Sequence, residues 1–325
     1  MIVSYAELAG TLERALAALG LEPDRAPRCA QLIADSTRDG VPSHGLNLFP
    51  RVASMIRRGA IDPRARAIRV AGRGALERWD GRRGVGALNA FDAMQAAIAG
   101  ARASGIACVA LGNTNHWMRG GSYGWQAADA GAIALCWTNT LPNLPPWGAA
   151  SPRIGNNPLV VAVPRARGHV VLDMAMSQFS YGALASYRAR GERLPVAGGF
   201  DRDGRLTDDP AAIEASRRPL PIGFWKGSGL AIVLDIIAAA LAGGRATHEI
   251  GADPEQETGL SQVFIAIDPA SLEGAAIDGV ADAVVASVQA RYPGERTLAA
   301  RRQHLQQGIE VDDEAWTIAR RCASA

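Results

Sequence analysis

Gly105-Ile-Ala-Cys-Val-Ala-Leu111 and Ala132-Ile-Ala-Leu-Cys-Trp-Thr138 are short apolar runs, and residues 122–130 between them fit a helix. Runs of this length with no polar alternation read as strands buried on both faces, and a strand, helix, strand order reads as an α/β chain. The pattern extends in both directions. Upstream, residues 67–70 and 76–79 alternate as strands do, and residues 87–102 set Leu88, Phe91, Met94 and Ile98 at helical spacing. Downstream, residues 159–163, 169–173 and 262–267 read as further strands, and residues 181–190 as a helix. The stretch 140–158 holds five prolines and reads as loop, and a polar connection follows to about residue 218. Another helix, strongly apolar, opens at Gly227.

Both ends of the chain are patterned differently. Ser4-Tyr-Ala-Glu7 fits a capping box, and Leu8, Leu12, Ala15, Leu16 and Leu19 then share one helical face up to Gly20. A second helix is expected over 23–39 and a third over 51–58, the latter burying Val52, Met55 and Ile56. From residue 271 the tail reads as helical, with a break at Tyr292-Pro-Gly-Glu295. These patterns divide the chain into a helical part at 1–66, an α/β part at 67–270 and a helical part at 271–325.

Composition narrows the function. The chain is 48% apolar and 20% charged with a formal charge of +2, which describes a globular protein with a sizeable core. Nothing in that balance attracts nucleic acid or an anionic membrane, so a small ligand is expected. Cys29, Cys108, Cys136 and Cys322 are too widely spaced for a zinc site and read as free thiols of a reducing compartment. No signal peptide is visible, and the longest apolar run, 230–242, is broken by Asp235 and too short to span a bilayer. A cytoplasmic location follows. His169, His248 and His304 have no partners at metal-ligand spacing, so no metal is expected.

The chemistry centres on Val41-Pro-Ser-His-Gly-Leu-Asn-Leu-Phe-Pro50, a short loop between two helical segments. It holds His44, whose side chain titrates nearest neutrality and is suited to proton exchange, though a loop histidine can also be idle. Among 34 basic residues there is a single lysine, Lys226. Arginine keeps its charge everywhere, whereas lysine is a compact, tunable point charge, so a lone lysine marks either a site that needs it or a chance survivor. Trp225-Lys226-Gly227-Ser-Gly229 opens a helix whose free amides would suit a phosphate, or whose glycines would permit close packing. Gly84-Val-Gly86-Ala-Leu-Asn89 lacks the third glycine of a dinucleotide-binding fingerprint and has no clear strand before it, so a standard Rossmann domain is rejected. His116 and Arg119 lie in the loop Asn113-Thr-Asn-His-Trp-Met-Arg-Gly-Gly121. Asp173, ending a strand, can hold a nicotinamide amide, orient a histidine or cap the next segment. No G-x-S-x-G elbow is present.

Several longer motifs carry a family resemblance: Ser43-His44-Gly45, Asn115-His-Trp-Met-Arg-Gly-Gly-Ser-Tyr-Gly-Trp125, Pro146-Trp-Gly148, Arg153-Ile-Gly155 with Asn157-Pro158, Asp173-Met174 with Phe179-Ser-Tyr-Gly182, and Gly223-Phe-Trp-Lys-Gly-Ser-Gly229. With them the chain resembles the malate/L-lactate dehydrogenase family of NAD(P)-dependent oxidoreductases that lack a classical Rossmann domain. The resemblance implies an α/β fold with a mixed-sheet, non-Rossmann NAD-binding core and a helical domain formed from both chain termini. It makes His44 the proton donor to a substrate carbonyl, with Ser43, Asn47, His116 and Arg119 as candidate substrate contacts. It places the cofactor, NADH with NADPH also possible, along His169, Val170, Val171, Leu172, Asp173, Met174 and Ala175, at Trp225 and Lys226, and near Pro293, Gly294 and Glu295. It also implies a homodimer with active sites near the interface.

The expected reaction is reduction of a 2-oxo or 2,3-dioxo sugar acid. A malate, lactate or sulfolactate type of dehydrogenase is the near alternative, and a non-catalytic sugar-acid or nucleotide binder the distant one. One position departs from the family. Where relatives commonly carry arginine four residues after the histidine, this chain has Leu48. Either another cation holds the substrate carboxylate, with Arg119 and Arg51 the candidates, or the substrate differs from the relatives' at that end.

Overall fold

Ser4 accepts the backbone N–H of Glu7 at 3.1 Å and starts the first helix, which buries Leu8, Leu12, Ala15 and Leu16. Only the serine half of the expected capping box forms. The computed structural model describes residues 1–273 and 276–324, so residues 274, 275 and 325 of the expected helical tail lie outside the described residues. The chain runs β1 (Ile2–Val3), α1 (Tyr5–Ala18), α2 (Ala26–Arg38), α3 (Phe49–Arg57), β2 (Ile68–Arg73), β3 (Leu76–Asp80), α4 (Gly86–Ser104), β4 (Ile106–Asn115), α5 (Gly121–Asp129) and β5 (Ile133–Thr138). It continues through β6 (Leu159–Val163), β7 (Val170–Met174), α6 (Tyr181–Ala189), β8 (Gly199–Phe200), β9 (Leu206–Thr207), α7 (Pro210–Ser216) and α8 (Trp225–Ala242). The last elements are β10 (Thr258–Ile267), α9 (Ile277–Ser287), α10 (Glu295–Gln307), β11 (Ile309–Glu310) and α11 (Asp313–Ala323).

The central sheet has seven strands in the order β2-β3-β4-β10-β5-β6-β7. Only β3 and β4 pair in parallel, so the sheet is mixed. Its two faces explain the unbroken apolar runs. In β4, Ala107, Val109 and Leu111 pack with α4 and α5, while Ala110 on the opposite side packs with α8. Phe264 and Ala266 of β10 likewise face the first layer and Val263 the second. Period-two alternation between two buried faces leaves no polar face to mark a strand.

A separate core joins the chain ends. Residues of α1, α2 and α3 pack with Ile309, Val311, Ala315, Trp316, Ala319 and Cys322, and β1 pairs with β11. The short elements β8, β9 and α7 occupy what reads in sequence as a polar connection. Their strands are two residues long, below what periodicity reveals.

One sequence reading changes. The apolar helix begins at Trp225, and its 18 residues make it long and apolar enough to cross a membrane, unlike the shorter run 230–242. One flank, with Ala231, Leu234, Ala238 and Ala242, is buried on the sheet. The Gly84–Asn89 stretch has a different use from phosphate binding. A Cβ on Gly86 would sit 2.2 Å from the Asn115 carbonyl oxygen and 2.4 Å from that of His116. Glycine therefore lets the start of α4 press against the strand end that carries His116.

Candidate active site

Thr37, in the last turn of α2, anchors the histidine loop. Its Oγ accepts the Leu46 N–H at 2.9 Å, and Gly45 lies so close that an added Cβ would be 2.4 Å from the same oxygen. The residue beside His44 is glycine because its own helix, rather than a ligand, comes near. Within this fixed turn the Ser43 hydroxyl lies 3.1 Å from His44 Nδ1. Among the described residues Nε2 of His44 makes no hydrogen bond, which leaves it as the nitrogen free to exchange a proton. The ring stacks on His116 with centroids 5.9 Å apart and planes 22° from parallel.

His116 has a fixed tautomer. Its Nδ1 accepts the Met118 N–H at 3.1 Å, so the neutral ring carries its proton on Nε2. Met118 itself takes φ +66°, a left-handed conformation that few non-glycine residues adopt. Burial, with the charges of His44 and Arg51 adding to it and Glu257 opposing, pushes the His116 pKa down to about 4, so it remains neutral through the physiological range. The pKa of His44 is also lowered. Burial is the main cause and Arg119 adds to it, while Asp173 and Glu257 act the other way.

Around this pair the structure gathers residues far apart in sequence. Glu257, whose side chain is 3% exposed, accepts from Arg51 Nη2 at 2.8 Å and from the Leu141 N–H at 3.0 Å. Tyr181 donates to the Asn143 carbonyl at 3.1 Å and joins α6 to the 139–158 loop. Asn47 is exposed. Arg119, 5% exposed, pairs with Asp39 at 2.8 Å and donates to Thr297 at 3.3 Å, and the same Asp39 carboxylate also holds Arg38 and Arg301. Burial works against the charge of Asp39, but these guanidiniums outweigh it and hold its pKa below the ordinary value. The fork onto a substrate carboxylate expected of Arg119 is not available in this arrangement, because its terminal nitrogens are already engaged. Asp39, Arg301 and Glu257 escape sequence reading. Glu257 lies in Asp253-Pro-Glu-Gln-Glu257, where nothing separates it from solvent-facing acids.

The cofactor candidates converge in part. β7 is an edge strand of the sheet, and the Val171 N–H donates at 2.9 Å to the Pro293 carbonyl, which joins the His169 to Ala175 stretch to the turn before α10. Leu172 and Asp173 are exposed there. The Asp173 carboxylate accepts the Gly121 N–H at 2.7 Å, so it holds the start of α5, an earlier helix, while the helix that follows it is capped by Ser180. Among the described residues Glu295 Oε2 is buried with no hydrogen-bond partner. Trp225 and Lys226 are exposed at the start of α8, and the chain leading to them is tied to the segment after β7 through Ile222 N–H to Met176 O at 2.8 Å.

The profile of the malate/L-lactate dehydrogenase family matches residues 3–318. The chain belongs to that family. As a family member it is an NAD(P)-dependent oxidoreductase. It is 44% identical over 327 residues to 2,3-diketo-L-gulonate reductase of Shigella boydii, covering 97% of this chain and 98% of that protein, and equally similar to the enzyme of that name from Escherichia coli K12. Among solved structures it resembles the sulfolactate dehydrogenase from Methanocaldococcus jannaschii, with TM-score 0.90, 27% identity and coverage of 100% and 97%. It also resembles the Δ1-piperideine-2-carboxylate reductase from Pseudomonas syringae, with TM-score 0.89, 28% identity and coverage of 99% and 99%. The mixed sheet is thus the family's fold.

Proposed function

We propose that the protein reduces a 2,3-dioxo or 2-oxo sugar acid with NADH, and that His44 delivers the proton. The observation that carries this reading is the stacked pair of His44 and His116. One ring is fixed as a neutral Nε2–H donor, and the other has its Nδ1 engaged and its Nε2 free. When bound, the nicotinamide supplies the hydride. His169 to Ala175, Pro293 to Glu295 and Trp225-Lys226 hold the cofactor. Lys226 would meet a phosphate through its charge alone, since the Lys226, Gly227 and Ser228 amides at the start of α8 already donate to the Gly223, Ile222 and Phe224 carbonyls, and Glu295 would accept from a hydroxyl or amide.

As negative charge develops on the carbonyl oxygen, His116 donates a hydrogen bond to it and the His44 imidazolium gives up its Nε2 proton. General-acid help of this kind is worth about 10²- to 10⁴-fold in rate. Ser43 orients the His44 ring through Nδ1. Arg51 is better placed than Arg119 for the carboxylate. Its side chain is 20% exposed, and among the described residues its Nη1 makes no hydrogen bond within the chain. Arg119 acts through its charge, and Asn47 at the loop surface touches only the distal end of a long substrate.

The protein works as a homodimer. Leu230, Ile232, Val233, Ile236 and Ile237 form an exposed apolar face on α8, continuous with Phe224 and Trp225 beside the cofactor lysine. A monomer leaves such a patch in water, and a second copy covers it. The free cysteines, with burial pushing Cys29 up to about 12 and Cys108 to about 11, are inert thiols that fit the cytoplasm.

NADH oxidation followed spectrophotometrically over a panel tests the reading. 2,3-Diketo-L-gulonate is expected to be turned over with a higher kcat/KM than pyruvate, oxaloacetate or sulfopyruvate. Faster turnover of one of those simple acids would reassign the substrate, and binding without turnover of any would make the protein a binder.

A further inference from the structure

Glu257 ends the loop that leads into β10. The register of β10 on β4 shifts between Thr258 and Leu260 and again between Leu260 and Gln262. Such irregularities re-aim side chains next to active sites, and here a carboxylate is turned inward until only 3% of it is exposed. It gathers partners from two other parts of the chain. Arg51 comes from α3 and the Leu141 N–H from the loop after β5, which also carries the Asn143 carbonyl held by Tyr181.

Burying a charge this fully is costly, and a glutamine at the same place would still accept a hydrogen bond at a lower desolvation cost. What glutamine lacks is a negative charge beside an imidazole that must become imidazolium. The charged groups around the two rings are few. The pairing of Thr258 with Asn115 brings Glu257, the residue before the one, alongside His116, the residue after the other. The charges acting on His44 are Asp173 of β7, Arg119 of the loop after β4, and Glu257, and those acting on His116 are Glu257, His44 and Arg51. Asp173 is exposed and Glu257 enclosed; Asp173 acts on His44 more than Glu257 does, but Glu257 is the acid that acts on both rings.

We propose that Glu257 is a positioning residue for the reduction: it braces the His44–His116 stack between α3 and the 139–158 loop and keeps a negative charge beside the ring that must carry the proton. This rests on the reading of His44 as proton donor. After each transfer the neutral His44 takes a proton from solvent, and Glu257 favours that step without itself gaining or losing one.

The test compares Glu257→Gln, Glu257→Asp and His44→Asn by pH profiles of kcat/KM in both directions, ketone reduction with NADH and alcohol oxidation with NAD. Reduction needs the imidazolium and oxidation the neutral ring. With Glu257→Gln, reduction near neutral pH is expected to fall about tenfold and to recover on acidification, since a one-unit lower pKa is a tenfold change in the protonated fraction. Oxidation is expected to be unchanged or faster, and Glu257→Asp to restore most of the profile.

Equal losses in both directions with an unmoved profile would reduce Glu257 to a structural brace and overturn the proposal, as would a Glu257→Gln enzyme indistinguishable from wild type. Should Glu257→Gln fail to fold, Arg51→Gln gives the test with the sign reversed in the position of the pH limb, since loss of the substrate carboxylate contact lowers kcat/KM at every pH without moving that limb. Glu257 is then less balanced and the limb moves to higher pH; an unmoved limb overturns the proposal. A fully active His44→Asn enzyme would remove the proton-donor reading itself. An inactive one with an unmoved Glu257→Gln profile would remove only the role of Glu257.

Discussion

Gly45→Ala is a one-carbon test of how tightly the proton donor is held. An added Cβ would lie 2.4 Å from Thr37 Oγ, 2.8 Å from the Thr37 nitrogen and 3.0 Å from the Ile33 carbonyl oxygen. Two of those atoms are backbone of α2 and cannot rotate away, so the loop must retreat by about 1 Å to reach ordinary contact distances of about 3.5 Å. The retreat breaks the Leu46 to Thr37 hydrogen bond of 2.9 Å, worth about 1 kcal/mol. Overpacking adds about 1–3 kcal/mol. Destabilisation of about 2–4 kcal/mol is therefore expected in urea unfolding. A displacement of about 1 Å at the adjacent His44 lowers kcat by up to about 10²-fold. The assay is steady-state ketone reduction alongside NADH fluorescence titration. Because the residues proposed to hold the cofactor lie on β7, the turn before α10 and the start of α8, the NADH Kd is expected to stay unchanged. A Gly45→Ala enzyme with native kcat, or one that loses NADH affinity in step with kcat, would refute the placement of His44.

Lys226→Met is expected to weaken NADH binding more than it slows turnover, raising Kd by roughly tenfold or more, since a charge-assisted bond is worth about 1.5–3 kcal/mol; an unchanged Kd by fluorescence titration would return the lone lysine to chance. Arg119→Met is expected to lower stability by about 1.5–3 kcal/mol through loss of its bond to the buried Asp39, with Arg38 and Arg301 left to hold the carboxylate. Its KM for the oxo acid is expected to change less than threefold, and a rise of about tenfold would put Arg119 back on the substrate carboxylate.

Much of the fold is legible because its strands and helices bury whole faces. The runs at 105–111 and 132–138 are apolar since α4 and α5 cover one side of the sheet and α8 the other. The pairs β1 with β11 and β8 with β9 are two residues long and carry no periodic signal. The candidate site is legible where a residue type is unusual in its setting, as His44 is in a loop. Asp39 and Glu257 are ordinary charges in a charged sequence that only burial distinguishes, and Arg301, partly exposed, is distinguished only by its pairing with Asp39. Burial by partners hundreds of residues away leaves no local pattern. Gly86 shows the opposite case, in which a motif-like glycine pattern serves a backbone contact with Asn115 and His116.

The measurement that tests the central claim most directly is the pH dependence of kcat/KM for NADH-driven reduction of 2,3-diketo-L-gulonate by wild type and His44→Asn. Burial, partly offset by Asp173 and Glu257, sets the His44 pKa below its ordinary 6.5. The wild-type rate is therefore expected to fall as pH rises through a pKa below that value, since only the protonated ring can give its proton. His44→Asn is expected to be at least about 10²-fold slower with this limb absent. A His44→Asn enzyme that keeps both the rate and the limb would contradict the account.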